Sequence, residues 1–156
     1  MMRGSMTAQQ QVSHSSLLSL VIPGRPEYVA LCRLVAGALG TRDSLDGEVV
    51  ADLKVMVTEA CNCLLAREDC SGLREGGSSA GSAGSIRMDF DSRPDAFVIR
   101  VFSSQRGDLI SWLETCPPTS EAGIGLTIMR ALADEMVEMD AGPDGSVLCL
   151  TKRLPA

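Results

Sequence analysis

The sequence predicts an α+β fold, a two-layer α/β sandwich in which helices cover one face of a mostly antiparallel sheet. Three observations predict this class. Two long segments repeat their apolar residues at helical spacing. Two short segments alternate around a turn, and 156 residues are the length of one domain. The predicted order is strand, helix, helix, strand, strand, loop, helix, strand, strand, which segregates helices from strands.

The first part of the predicted fold is one strand followed by two helices. Residues 1–16 are polar, and we expect a flexible tail there; Leu17–Ile22 is the first strand. The first helix is predicted over Pro26–Leu39, with a proline at its first position and Gly40 at its end. The second helix is predicted over Asp46–Arg67, since its apolar stripe has the spacing of a helix lying on a sheet. That stripe is Val50, Leu53, Val57, Cys61 and Leu64.

A hairpin and a long loop follow. Residues 75–85 are rich in Gly and Ser and predict a flexible loop. Ile86–Asp91 and Phe97–Phe102 alternate around Arg93-Pro94-Asp95, a pattern typical of a hairpin. Residues 103–121 show no clear period. Because long loops in compact domains are usually functional, we expect a lid or binding loop there.

The last part is predicted as a helix, a tight turn and a strand. A third helix is expected over Leu126–Glu135, nucleated at Gly123–Gly125, with its N-terminus facing the base of the lid. Gly142–Gly145 forms the turn, and Val147–Lys152 is the closing strand. The folded domain is therefore predicted over 17–154.

Composition and charge exclude several classes of protein. Fourteen Lys and Arg against twenty Asp and Glu give a net charge of −6. This charge argues against a nucleic-acid binder, which normally has a basic face, and against docking on anionic membranes. Apolar runs are too short for a membrane span or a signal peptide, so we expect a cytoplasmic protein that does not contact the membrane.

The cysteines do not predict a metal site. The sequence has six cysteines but no Cys-x-x-Cys pair, and its single histidine, His14, lies in the polar tail. Cys61 and Cys63 are two residues apart, so they point to different sides of a helix. We expect free, mostly buried thiols.

Two features could carry chemistry. Glycines at a helix N-terminus, here Gly123 and Gly125, can expose backbone N–H groups to an anion, although taken alone they are better explained by a tight loop-to-helix turn. Glu59 lies on the far flank of its helix from the apolar stripe, with Asp52 near it in angle. That acidic flank could attract a cation or be an ordinary solvated surface.

Three segments carry a family resemblance. Ile22–Val29, Ala51–Cys61 and Glu121–Glu135 closely resemble the bacterial anti-sigma-factor serine kinases, which belong to the GHKL (Bergerat-fold, histidine-kinase-like) ATPases. The resemblance extends over about Leu17 to Leu154, and the predicted element order agrees with that fold.

The resemblance implies an ATP and magnesium site built from three sequence boxes. In the first, Glu59 matches the glutamate that acts as base, but Cys63 stands where the family has a magnesium-holding Asn, and Asn62 is one residue early. In the second, Ser103 stands at the adenine-reading Asp, and of its glycines only Gly107 remains.

The third box is intact at Gly123 and Gly125, with Thr127 just beyond it, and the closing element is Gly145-Ser146. The resemblance thus implies eight candidate cofactor-binding residues: Asn62, Cys63, Ser103, Gly107, Gly123, Gly125, Thr127 and Ser146. Because a thiol is a poor ligand for magnesium, Asn62 or Cys63 is at best a marginal metal ligand. Serine also lacks the charge of a carboxylate. We therefore expect weak binding of ATP that magnesium hardly improves.

The resemblance also implies the partners. We expect a homodimer that binds a sigma factor and an anti-anti-sigma protein, with a degraded ATP site. The alternative is an active serine kinase that phosphorylates the anti-anti-sigma protein. A third interpretation is an unrelated small α+β ligand-binding domain. For the partner surface we predict Pro23–Arg33, where Tyr28 either supplies a contact or packs under the helix.

Overall fold

The structure is a computed structural model, and it describes residues 18–70, 84–103, 108–142 and 145–155. Five strands form one sheet in the order β1-β2-β3-β5-β4, and every neighbouring pair is antiparallel. The predicted α+β sandwich is confirmed. A short 3₁₀ turn, Pro26–Tyr28, precedes the first helix. The elements are β1 Leu18–Pro23, α1 Val29–Arg42, α2 Gly47–Cys70, β2 Ser85–Ser92, β3 Ala96–Ser103, α3 Leu109–Thr115, α4 Glu121–Leu132, β4 Glu135–Asp140 and β5 Ser146–Arg153.

Strand alternation gives the sheet two different faces. Ile99 and Val101 of β3 and Leu150 of β5 are almost completely buried in the core beneath the helices. Val137 and Met139 of β4 point to the opposite face and are about half exposed. The helices thus cover the face that carries Ile99, and any site between the two layers lies on that side.

Helix α2 lies between α1 and α4, and small residues allow it to pack closely. A Cβ atom at Gly37 of α1 would lie 2.5 Å from Lys54 Cε, and one at Gly40 would lie 2.9 Å from Val50 Cγ2. Alanine at Gly40 would push against the stiff Val50 side chain, whereas the flexible end of Lys54 could move away from alanine at Gly37. The predicted helix stop at Gly40 was wrong: α1 continues to Arg42, and Ser44 takes the left-handed conformation instead, with φ of 57°.

The predicted hairpin is confirmed, with β2 and β3 slightly longer than expected. The long loop 103–121 is partly wrong, because it contains the short helix α3. Asp108 caps α3 by accepting hydrogen bonds from Ile110 N and Ser111 N, and Leu109 and Leu113 anchor it in the core. Seven residues are too few to show a helical period in the sequence.

Helix α4 begins and ends earlier than predicted. Ser120 caps it, so its first residue is Glu121 rather than Leu126. It ends at Leu132, and Glu135 opens the edge strand β4. None of the helices in the described residues is long and apolar enough to cross a membrane. The predicted tail 1–16 and nearly all of the loop 75–85 lie outside the described residues.

Candidate functional site

Helices α2 and α4 bring Glu59, Cys63 and Gly125 together. A Cβ atom at Gly125 would lie 2.9 Å from Cys63 Sγ and 3.0 Å from Glu59 Oε2. Cys63 is almost completely buried, whereas Glu59 is partly exposed. We call this region, with Gly123, the glycine end of the candidate site.

Burial and nearby negative charge raise the pKa values of the acidic groups at the glycine end. Burial raises the pKa of Glu59, and the negative charge of Glu121 at the start of α4 raises it further. Burial likewise raises the pKa of the Cys63 thiol to about 12, with a contribution from the charge of Glu59. Cys63 is therefore a neutral thiol at physiological pH, and two carboxylates lie close to the N-terminus of α4.

Backbone N–H groups at this N-terminus are already engaged. Gly123 N donates to Ser120 Oγ at 3.1 Å, and Ile124 N donates to Ser120 O at 2.9 Å. A Cβ atom at Gly123 would lie 2.2 Å from Pro117 O. Gly123 is thus required for close packing of the preceding segment. The sequence suggested that N–H groups at this helix end could bind a phosphate, but these two already have partners within the protein.

Ser103 and Ser146 define the second region, which we call the serine end. They are directly opposite each other on β3 and β5, and both are buried. Since Val101 and Leu148 share their face and lie in the core, both hydroxyls belong to the helix-covered side of the sheet. Ser146 also lines a cavity of about 550 Å³ between α3 and the ends of β4 and β5.

Three carboxylates line the same cavity, those of Asp108, Glu138 and Asp140. Glu138 accepts hydrogen bonds from Leu109 N at 2.5 Å and Ile110 N at 3.0 Å, which fixes α3 to β4. Burial raises the pKa of Glu138, although the two backbone hydrogen bonds oppose the shift. The pKa of Asp108 is lowered, mainly by the hydrogen bond that the Ser111 hydroxyl donates to it. The cavity is therefore rich in acceptors.

Comparison with known proteins gives the family. The histidine kinase-like ATPase domain matches residues 22–152 of this chain. A serine-protein kinase RsbW from Bacillus pumilus is 30% identical over 148 residues, which cover 88% of this chain and 86% of that protein. The chain belongs to the anti-sigma-factor serine kinases of the histidine kinase-like ATPase family.

Two further proteins extend the comparison. The anti-sigma-F factor RsbW of Mycobacterium tuberculosis is 28% identical, covering 86% of this chain and 70% of that protein. A chain of the SiaB–SiaC complex from Pseudomonas aeruginosa has the same fold, with a TM-score of 0.65, 10% sequence identity and 92% of each chain covered. The family resemblance stated from the sequence is therefore confirmed.

The remaining predicted site residues of this family member are dispersed. Asn62 is exposed, and Thr127, also exposed, donates its hydroxyl to Gly123 O at 3.1 Å. Asp52 does not extend an acidic flank with Glu59, because it pairs with Lys152 at 3.1 Å. Gly107 lies outside the described residues.

The donor set does not fit magnesium. At the family's metal position the structure offers one carboxylate, Glu59, beside the neutral thiol of Cys63, whereas magnesium prefers several oxygen ligands. In the described ranges, no group of three or more His, Cys, Asp or Glu residues could hold a metal ion. We therefore derive no catalytic step that depends on this metal.

Sequence reasoning missed Glu138 and Asp108. Neither residue belongs to a family box. Glu138 lies on β4, whose sequence is Glu-Met-Val-Glu-Met-Asp, and the three acidic residues obscure the alternation expected of a strand. The signal available was Asp108 itself, which stands directly before a short apolar segment, as a helix cap does.

Proposed function

We propose that this chain is an anti-sigma regulatory factor that binds a sigma factor and an anti-anti-sigma protein, while its degraded nucleotide site binds ATP weakly. The names of its RsbW relatives support the anti-sigma role. The degraded site is supported by one observation above all: the buried, neutral Cys63 beside Glu59 and Gly125. A site with that donor set gains little from magnesium.

Helix α1 presents a surface suited to a protein partner. Leu31 and Leu34 are 46% and 66% exposed on α1, which is unusual for large apolar side chains that neighbour each other on a helix. Arg25 and Arg33 are exposed near them. Tyr28 is partly buried and packs against the core, so the proposed surface rests on Leu31 and Leu34 instead. We propose the α1 surface as the binding site for the protein partners, because an apolar centre with a charged rim is typical of interfaces.

A second candidate function, an active serine kinase, rests on Glu59. Its raised pKa and its position beside Gly125 suit a residue that accepts a proton from a serine hydroxyl. Phosphoryl transfer depends on positioning and on charge neutralisation by metal ions. The poor magnesium donor set therefore favours the regulatory function over this one.

Partner capture from host cytosol separates these functions. We expect the wild type and Glu59→Gln to capture a sigma factor or an anti-anti-sigma protein, identified by mass spectrometry, in equal amounts. Arg25→Glu and Leu34→Ser should capture several-fold less while retaining the wild-type circular dichroism spectrum. If Glu59→Gln loses capture and the α1 variants do not, binding depends on the nucleotide site, and the kinase function takes precedence.

We also propose that the protein works as a cytoplasmic homodimer with weakly bound ATP. The family resemblance supports the dimer, and the acidic net charge of −6 is consistent with a protein that avoids nucleic acid and anionic membranes. Light scattering after size-exclusion chromatography should give twice the 16.5 kDa mass of one chain. A mass of one chain at micromolar concentration contradicts the dimer.

A further inference from the structure

Two carboxylates meet at the first turn of helix α3. The backbone nitrogen of Ile110 lies 3.1 Å from Asp108 Oδ1 and 3.0 Å from Glu138 Oε2, so both groups accept a hydrogen bond from one N–H. Leu109 N donates to the other oxygen of Glu138 at 2.5 Å. Because one N–H joins them, the two carboxylates are neighbours, although Asp108 caps α3 and Glu138 belongs to β4.

The charged groups on the surrounding elements do not neutralise this pair. Asp140 lies two residues beyond Glu138 on the same face of β4 and lines the same cavity, so it adds negative charge. Opposite Glu138, β5 contributes Leu148, which does not titrate. The cations of α4 and β5 pair with other carboxylates: Arg130 with Glu114, Lys152 with Asp52, and Arg153 with Glu135.

A single proton changes the interaction between the two groups. Two ionised carboxylates repel each other and can only accept, so no hydrogen bond forms between them. A protonated carboxyl group is a donor, and it can bond to the carboxylate beside it. Glu138 is the group that holds the proton, because burial raises its pKa and neighbouring Asp108 raises it further. The pKa of Asp108 is lowered, mainly by the hydrogen bond from Ser111.

We propose that Asp108 and Glu138 form a proton-sharing pair that holds the start of α3 against β4, and that α3 loosens when the pair loses its proton. Since the pKa of Glu138 is raised, its stabilising effect is complete below the ordinary value of 4.5 and is lost as pH rises through the pKa of the folded state. Since the pKa of Asp108 is lowered, its effect is present above 3.8 and is lost only as pH falls through its own folded-state pKa. Helix α3 is therefore held more firmly in mild acid than above neutral pH.

The packing of α3 also affects the glycine end. Helix α3 ends at Thr115, two residues before Pro117. The backbone oxygen of Pro117 occupies the space beside Gly123, where a Cβ atom would lie 2.2 Å from it. A movement of α3 therefore displaces the segment that packs against the start of α4, and the pair makes this packing sensitive to pH.

Hydrogen–deuterium exchange of the full chain, read by mass spectrometry at pH 4.5 and pH 7.5, tests the proposal. After correction for the effect of pH on chemical exchange, residues 109–115 should exchange at least about fivefold faster at pH 7.5, the low end of coupling between two sites. Strand β3, which lies in the core, should not accelerate by that factor. If α3 does not accelerate, or if β3 accelerates equally because pH acts on the whole fold, the proposal is wrong.

Two variants distinguish a proton-sharing pair from a clamp that is only structural. Glu138→Gln resembles the protonated acid, since its oxygen accepts from α3 and its NH₂ group can donate to Asp108. In Asp108→Asn the helix keeps its cap, because Asn caps as well as Asp. Both variants should exchange α3 equally at the two pH values. Glu135→Gln, on the same strand but paired with Arg153 at the surface, should keep the wild-type pH dependence.

The variants can also overturn the proposal. If α3 of Glu138→Gln still loosens as pH rises, another group is responsible, and the proposal fails. If Glu138→Gln frees α3 at both pH values, Asp108→Asn decides the matter. A pH dependence that survives in Asp108→Asn contradicts the pair, whereas its loss supports the pair.

Discussion

The glycine end keeps its sequence motif, and the serine end has lost most of its own. In the structure, however, the glycine end is closely packed, whereas the serine end keeps an open cavity. At the glycine end, Ser120 engages backbone N–H groups, and Glu59 and Glu121 place negative charge where phosphates would lie. At the serine end, a cavity with a half-buried carboxylate, Glu138, remains beside Ser146. The comparison teaches that a glycine of an intact motif can be needed for packing, while a cavity can persist beside a changed motif.

The largest effect that sharpens this comparison is expected at Gly123. In Gly123→Ala the new methyl group would lie 2.2 Å from the backbone oxygen of Pro117, which cannot move without displacing the segment before α4. We expect a loss of about 3 kcal/mol or more in the free energy of unfolding, at the upper end of overpacking costs. Urea denaturation measures it.

Gly125→Ala is the matched control within the same motif. Its methyl group would meet the ends of two side chains, Cys63 Sγ and Glu59 Oε2, which can shift. Alanine also gains about 1 kcal/mol in helix propensity over glycine, so we expect a net change of less than about 1 kcal/mol. If both alanine variants are equally stable, packing does not explain why Gly123 persists.

A smaller effect concerns the charge at the glycine end. Because the folded protein raises the pKa of Glu59 above its ordinary value of 4.5, the folded state holds that proton more tightly than the unfolded state. The stability of the wild type therefore falls as pH rises from below 4.5 through the pKa of the folded state. Glu59→Gln should be more stable at pH 7, by on the order of 0.5 kcal/mol since solvent screens the half-exposed group.

Urea titrations at pH 7 and at pH 3.5 measure this difference. The gain in Glu59→Gln should vanish at pH 3.5, where the wild-type carboxyl is protonated in both states. The exposed Glu27→Gln serves as the control and should show no such gain. A Glu59→Gln variant that is less stable than the wild type at pH 7 would show that the carboxylate makes a favourable contact at the glycine end.

The smallest effect leaves stability unchanged and tests the state of the thiol. Cys63 is buried and its pKa is raised to about 12, whereas Cys70 is exposed. Iodoacetamide at pH 8 should modify Cys70 within minutes and leave Cys63 unmodified in the folded protein, because the thiolate is the reactive form. Peptide mass spectrometry distinguishes the two, and rapid modification of Cys63 would mean that the glycine end opens to solvent.

The sequence predicted the parts of this fold that repeat a clear period. Alternation around Arg93–Asp95 predicted the hairpin, and the apolar stripe of α2 placed Glu59 on the opposite flank from the core. The sequence did not predict the bounds of helix α3 or strand β4. Helix α3 is only seven residues long, and half of the residues in β4 are acidic. Their positions depend on tertiary contacts, above all the hydrogen bonds that Leu109 N and Ile110 N donate to the Glu138 carboxylate.

The sequence predicted only those parts of the site that belong to the family motifs. The third box located Gly125 on the helix that faces Glu59. The same box gave no sign that Gly123 N is bonded to Ser120, because a cap that begins the helix earlier has no effect on the glycine spacing. The cavity could not be foreseen, since it depends on how the short helix α3 packs against the ends of β4 and β5, which no sequence pattern specifies.

The central claim, a nucleotide site degraded at its metal and base positions, is tested most directly by calorimetric titration of ATP with and without magnesium. The account predicts weak binding by the wild type, changed by less than about threefold on adding magnesium, since Glu59 and the neutral thiol of Cys63 offer the ion too few oxygen ligands. The double variant Cys63→Asn with Ser103→Asp should bind at least about tenfold more tightly in magnesium, whereas the exposed-site control Cys70→Asn should match the wild type. Tight, magnesium-dependent binding of ATP by the wild type would contradict the account.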